Sequence, residues 1–173
     1  MNRPAHERAK TATAGLRSFE LFYAEARDPV YRAVLVTIRD RSRAEDAVQE
    51  AFTRAYRDWE RLSTHPNATA WVVRVACNSH RSLWRRLRHE YPAVAPDVAA
   101  AAAQAPFDDQ LARLVWSLPH RQREVVALRI LLDQSTAQTA SALGIAQGSV
   151  TAHLHRALST LRRRLEETGT QER

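Results

Sequence analysis

Residues 42–59 read SRAEDAVQEAFTRAYRDW, and this stretch decides the fold class. Ala44, Ala47, Val48, Ala51, Phe52, Ala55, Tyr56 and Trp59 recur at helical intervals. At about 3.6 residues per turn they form one apolar stripe, so the segment is an amphipathic helix. Ser42 followed by Glu45 has the pattern of a capping box, which predicts a fresh helix start.

The same periodicity extends outward. Upstream, Phe19, Phe22 and Ala26 share a face. Asp28 before Pro29 reads as an N-cap with a first-turn proline, and Tyr31, Val34, Leu35 and Ile38 carry that next helix. Downstream, residues 62–69 contain Ser63, Thr64, Pro66 and Asn67 and read as a loop. A further helix then buries Trp71, Val72, Val75, Ala76, Leu83 and Leu87. These helices make a first module over residues 15–90.

Residues 91–106 carry Pro92, Pro96, Pro106 and the run Ala99 to Ala103, and read as a flexible linker. A second module occupies residues 107–167. Leu111, Leu114, Val115 and Leu118 form its first stripe. Pro119 opens another helix with Val125, Leu128 and Leu132 inward. No strand alternation competes with these patterns. The expected fold is all-α: two small helical domains, the second with a helix-turn-helix.

The helix-turn-helix lies in residues 135–164. Ala140 is small enough for close helix approach, and Gly144 sits where the chain turns sharply. Leu143 and Ile145 flank it, and Val150, Leu154, Ala157, Leu158, Leu161 and Leu165 form the expected buried face of a long second helix. The opposite face offers Gln147, Ser149, Thr151, Ala152, His155 and Arg156 to a major groove. Composition agrees with a polyanionic partner: net charge is +7, with Lys10 the only lysine among 26 cationic residues.

A second cationic feature lies on the last helix of the first module. Arg74, Asn78, Arg81, Arg85 and Arg88 are spaced for one face, read as opposite Trp71 and Val75. No acid interrupts the stripe; arginines neutralise phosphates, and an asparagine reads a base edge. An acidic face, Asp46, Gln49 and Glu50, suits protein docking better than acid–base chemistry.

No catalytic, metal or cofactor site is expected. Ser79 beside His80 is a chance adjacency, the histidines lack ligand spacing, and no glycine-rich phosphate loop is present. Cys77, the sole cysteine, excludes an intrachain disulfide and reads as a buried small hydrophobe. Without a signal-peptide pattern or a long apolar run, a cytoplasmic location without membrane insertion is expected.

Four segments, in order, resemble the extracytoplasmic-function sigma factors of RNA polymerase. They are RAEDAVQEAF at 43–52, AWVVRVACN at 70–78, LPHRQREVV at 118–126, and Leu143-Gly144-Ile145 with Val150, Leu154, His155, Arg156, Ala157 and Leu158. Ser82 beside Leu83, Trp84, Arg85 and Arg86 is similar to an actinobacterial sigma-E-type subgroup. The resemblance implies a sigma-two domain and a sigma-four domain without a third between them. It implies core polymerase, through its beta-prime and beta subunits, and promoter DNA as partners, and leaves open an anti-sigma factor. Asp46, Gln49 and Glu50 would face the beta-prime coiled coil. Asn67 and its loop, with Trp71, Arg74, Asn78, Arg81, Arg85 and Arg88, would handle the minus-ten element. Gln147, Ser149, Thr151, Ala152, His155 and Arg156 would read the minus-thirty-five element. The sequence departs from the family at Ser82, where Asp is common, at Ala146, where a serine cap is common, and in lacking cations near Thr151 and His153. Two rival readings stay open: a LuxR-like regulator using the second module alone, and a sigma-like adaptor that no longer initiates transcription.

Overall fold

The structure is a computed structural model that describes residues 18–90 and 109–171, with side chains for 18–79 and 113–167. Every regular element among the described residues is helical. The first module comprises α1 (Phe19–Ile38), α2 (Arg41–Arg57), the single turn α3 (Trp59–Leu62) and α4 (Ala68–Glu90). The second comprises α5 (Asp109–Trp116), α6 (His120–Val126), a π-helical turn (Ala127–Leu131), α7 (Thr136–Leu143) and α8 (Gln147–Gln171). The expected linker lies outside the described residues.

Two helix starts differ from the sequence reading. Asp28 and Pro29 do not open a helix, because α1 runs unbroken through Pro29. Proline costs one backbone hydrogen bond. The helix continues because Ala26, Val30, Ala33 and Val34 bury one continuous face across that position. Ser18 caps its start, and Arg39 ends it in the left-handed region at φ 64°. Likewise α2 is capped by Asp40 rather than Ser42: the Asp40 carboxylate accepts from the Arg43 N–H at 2.9 Å. Glu45, expected to complete a capping box with Ser42, instead receives the Arg41 guanidinium at 3.1 Å.

The stripe of α2 packs as expected from Ala44 to Ala55, whereas Tyr56 is 63% exposed. Phe22 is the hub beneath it, with ring centroids 4.9 Å from Trp59 and 5.9 Å from Phe52. Among the described side chains of α4 the buried positions are Ala70, Val72, Val73, Ala76 and Cys77. Trp71 and Val75, read as the buried side opposite the arginine stripe, are only half-buried on its flank. The reason is geometric: three- and four-residue steps place Trp71 beside Arg74 and Val75 beside Asn78.

The two modules do not keep separate cores. Ala127 and Leu128 of the second module are buried in the core of the first, with Leu132, Ala142 and Leu143 packed against it. Reciprocally, Val36 of α1 is buried with Val115, Leu118, Val126 and Ala157. Helix α7 lies against α4, and the π-helical turn lies against α1.

Candidate nucleic-acid and polymerase interfaces

Local chemistry builds the helix-turn-helix. The Ser135 hydroxyl accepts from the Gln138 N–H at 3.1 Å, and the Ser135 N–H donates to the Gln138 side chain at 2.8 Å. This capping box was legible in the sequence as Ser-x-x-Gln but escaped the reading. Gly144 ends α7 at φ 63°, where a Cβ would be strained, and the Ile145 N–H donates to the Ala140 carbonyl at 3.1 Å. Val125, Ala140 and Val150 form the small core beneath the turn, with Leu143, Ile145 and Leu154 around it.

This core leaves Gln147, Thr151, His155 and Arg156 exposed on α8, with Ser149 and Ala152 half-buried beside them. The six residues expected on the DNA-reading face therefore share one accessible surface. Leu158 and Leu165 do not join the buried face as expected, at 46% and 49% exposed. Helix α8 outruns the neighbours that would cover it: Ala157 is the last position on it classed as buried within the described side chains. The helix opens just after Ala146, which has no side-chain acceptor to offer.

On α4, Arg74 and Asn78 are exposed one helical turn apart, with Trp71 half-buried beside them. Arg81, Arg85 and Arg88 continue on the same helix, and their side chains lie outside the described residues. Asn67 caps the start of α4, accepting from the Ala70 N–H at 3.0 Å. Its amide also donates to the Gln134 side chain of the second module. A cavity of about 210 Å³ between the modules is lined by Arg74, Cys77 and Asn78 on one side and Arg121, Glu124 and Gly144 on the other.

Sequence reasoning missed the polar floor of this junction. Glu124 is buried and ion-pairs with Arg121 at 2.8 Å, with the His120 Nε2 3.3 Å from its carboxylate. Arg123 is buried and donates to the Leu118 carbonyl at 2.5 Å and the Thr37 carbonyl at 3.4 Å. Burial, with Arg39 nearby, lowers its guanidinium below the usual arginine range to about 10 against the opposing pull of Glu124, so it is charged at neutral pH.

Asp46, Gln49 and Glu50 are exposed together on α2, and Glu50 ion-pairs with Arg54 one turn on. Beside them a groove of about 740 Å³ runs between α1 and α2, lined by Tyr23, Tyr31, Gln49, Phe52 and Tyr56 among others. Burial, then Glu45, raises the Tyr31 phenol above its usual 10 despite the opposing Arg41. Among the described residues no group of His, Cys, Asp or Glu is arranged to hold a metal, and no helix is long and apolar enough to cross a membrane.

Residues 22–90 match Sigma-70 region 2, and residues 108–161 match Sigma-70, region 4. The RNA polymerase sigma-E factor of Streptomyces avermitilis is 34% identical over 152 residues, covering 86% of this chain and 85% of that protein. The ECF RNA polymerase sigma factor SigL of Mycobacterium tuberculosis is 31% identical over 167 residues, covering 91% and 94%. The fold is similar to RpoE of Bartonella quintana, solved with the anti-sigma factor NepR, at a TM-score of 0.72 and 19% identity, covering 86% of this chain and 96% of that one. It is also similar to CnrH, solved with the cytosolic domain of CnrY, at a TM-score of 0.64 and 23% identity, covering 92% and 94%. The matched sigma regions thus cover most of both helical modules, and the chain belongs to the extracytoplasmic-function RNA polymerase sigma factors, non-enzymatic DNA-recognition subunits that direct transcription initiation.

Proposed function

We propose that this sigma factor works in the cytoplasm without catalytic residues of its own, dividing its work among three surfaces. The acidic face Asp46, Gln49 and Glu50 holds core polymerase at the beta-prime coiled coil. The α4 face, from Asn67 and Trp71 through Arg74, Asn78, Arg81, Arg85 and Arg88, takes the single-stranded minus-ten element. The α8 face, from Gln147 to Arg156, reads the minus-thirty-five duplex. Residues 15–90 act as the sigma-two domain, residues 91–106 as the linker and residues 107–167 as the sigma-four domain.

One observation carries this reading: the acidic α2 face, the Arg74–Asn78 face and the capped helix-turn-helix are all exposed on one fold. A regulator using the second module alone would have no use for the first two. The complex of RpoE with the anti-sigma factor NepR supports an anti-sigma factor as a further partner here. Run-off transcription with purified core polymerase on fragmented genomic DNA tests the whole reading. Promoter-specific products are expected; core binding without them would indicate an adaptor.

Reversing charge with Asp46→Arg and Glu50→Arg is expected to weaken core binding in a pull-down titration. Both sites are exposed, so folding stability should move by no more than about 0.5 kcal/mol each. Undiminished core affinity would move the docking surface elsewhere.

Arg156→Ala is expected to weaken promoter binding in one of two ways. A phosphate contact would show as a salt slope shallower by about one. A base contact would show as about 1–3 kcal/mol less discrimination at one position. Footprints unchanged in both respects would exclude Arg156 from the interface.

A further inference from the structure

The cavity of about 210 Å³ between the modules has two unlike walls. One is apolar and formed by Val73, Leu128, Ala142 and Leu143. The other is polar with a surplus of positive charge: Arg74 and Arg121 are its cations, and Glu124 is its carboxylate among the described residues. Arg121 is already committed, since it donates to Glu124 at 2.8 Å. Arg74 and Asn78 are not: among the described residues no side-chain hydrogen bond or ion pair engages either. They stand one turn apart on α4, so a guanidinium and a carboxamide are neighbours on the same wall.

These walls select a ligand by its chemistry. Adjacent donors carrying an unpaired positive charge suit a carboxylate, which takes a guanidinium in bidentate geometry. The apolar wall suits a hydrocarbon body. At about 30 Å³ per water molecule the space equals roughly seven waters, enough for a carboxylate with a short branched body. It falls below the roughly 300–1,000 Å³ of pockets for drug-sized ligands, so a nucleotide is too large. An amino acid fits poorly, because Glu124, the acid that would receive its ammonium, is buried and already paired with Arg121. Inorganic phosphate would leave the apolar wall bare.

We propose that this cavity binds a small branched-chain carboxylate, its carboxylate on Arg74 and Asn78 and its body against Val73, Leu128 and Leu143. Arg74 and Asn78 are also the groups proposed to take the minus-ten strand. Ligand and strand therefore compete for them; this consequence, unlike the binding itself, rests on the minus-ten reading. A small metabolite thereby acts on the sigma factor directly, through groups that also serve DNA.

Calorimetric titration of the full chain with 4-methylpentanoate tests the site, with 4-methylpentan-1-ol, leucine and inorganic phosphate as comparison probes. Saturable binding of the carboxylate, roughly tenfold or more tighter than that of any comparison probe, is expected. Arg74→Gln, at an exposed position, is expected to weaken it by roughly tenfold or more with helicity unchanged. Ala142→Leu adds volume to the cavity wall and is expected to weaken it comparably; should that variant not fold, Arg74→Gln decides alone. No saturable binding, equal binding by a comparison probe, or undiminished binding by Arg74→Gln would overturn the proposal. Saturating carboxylate, added before core polymerase, is expected to cut run-off transcript by roughly fivefold or more. Unchanged transcription at saturation would overturn the competition. If Asn78→Ala also melts promoters as the parent chain does, the minus-ten reading falls with it, while the site itself is decided by the titration.

Discussion

Replacing Phe22 with Ala is expected to cost about 3–5 kcal/mol of folding stability, a large share of what a small protein has. Phe22 is 1% exposed and joins α1 to α2 and α3 through Phe52 and Trp59. Truncation removes apolar area and leaves a void that the neighbouring rings, tilted or stacked against it, fill only partly. Phe52 also walls the groove beside Gln49, so on the proposed docking reading core binding should weaken together with stability. Denaturant unfolding followed by tryptophan fluorescence checks the stability, since Trp59 stacks on Phe22. A loss below about 1 kcal/mol, the usual cost of an unexceptional substitution, would contradict the packing described here.

The second large effect is expected at Asn78. Reading a base by its Watson–Crick edge requires that base to leave the stack, at a cost of a few kcal/mol. On the proposed minus-ten reading, cationic residues along α4 would offset this by holding the strand's phosphates, and Asn78 would receive the base. Asn78→Ala removes an exposed amide, so folding should be nearly unaffected. A lost base-edge contact worth about 1–3 kcal/mol corresponds to roughly 10–100-fold less open complex. Core binding and closed-complex occupancy should persist. Permanganate reactivity of unpaired thymines at a target promoter reads the outcome. Melting equal to that of the parent chain would reduce Asn78 to a structural residue of α4.

Helical class, the division into two modules and the turn at Gly144 were all legible in the sequence because they rest on local physics. Apolar spacing sets the α2 stripe from Ala44 to Ala55, and only glycine takes φ 63° at position 144 without strain. The same local reasoning misplaced two helix starts. Pro29 looks like a boundary in isolation, but long-range burial of Ala26, Val30 and Val34 carries α1 through it. Asp40 competes successfully with Ser42 because the chain leaves Arg39 with the cap residue extended and its carboxylate aimed at the Arg43 N–H.

What tertiary structure alone decided is how the modules meet. Val36 and Leu128 look like ordinary stripe residues of their own helices, and periodicity cannot say which module each will fill. Arg39 and Arg123 look like surface cations until their partners, the carbonyls of Trp116 and Thr37, arrive from far along the chain. The sequence by itself determined which faces are apolar, which are acidic and which are cationic, because those follow from residue type and helical pitch. Which of those faces are turned toward one another was decided only by contacts between residues distant in sequence.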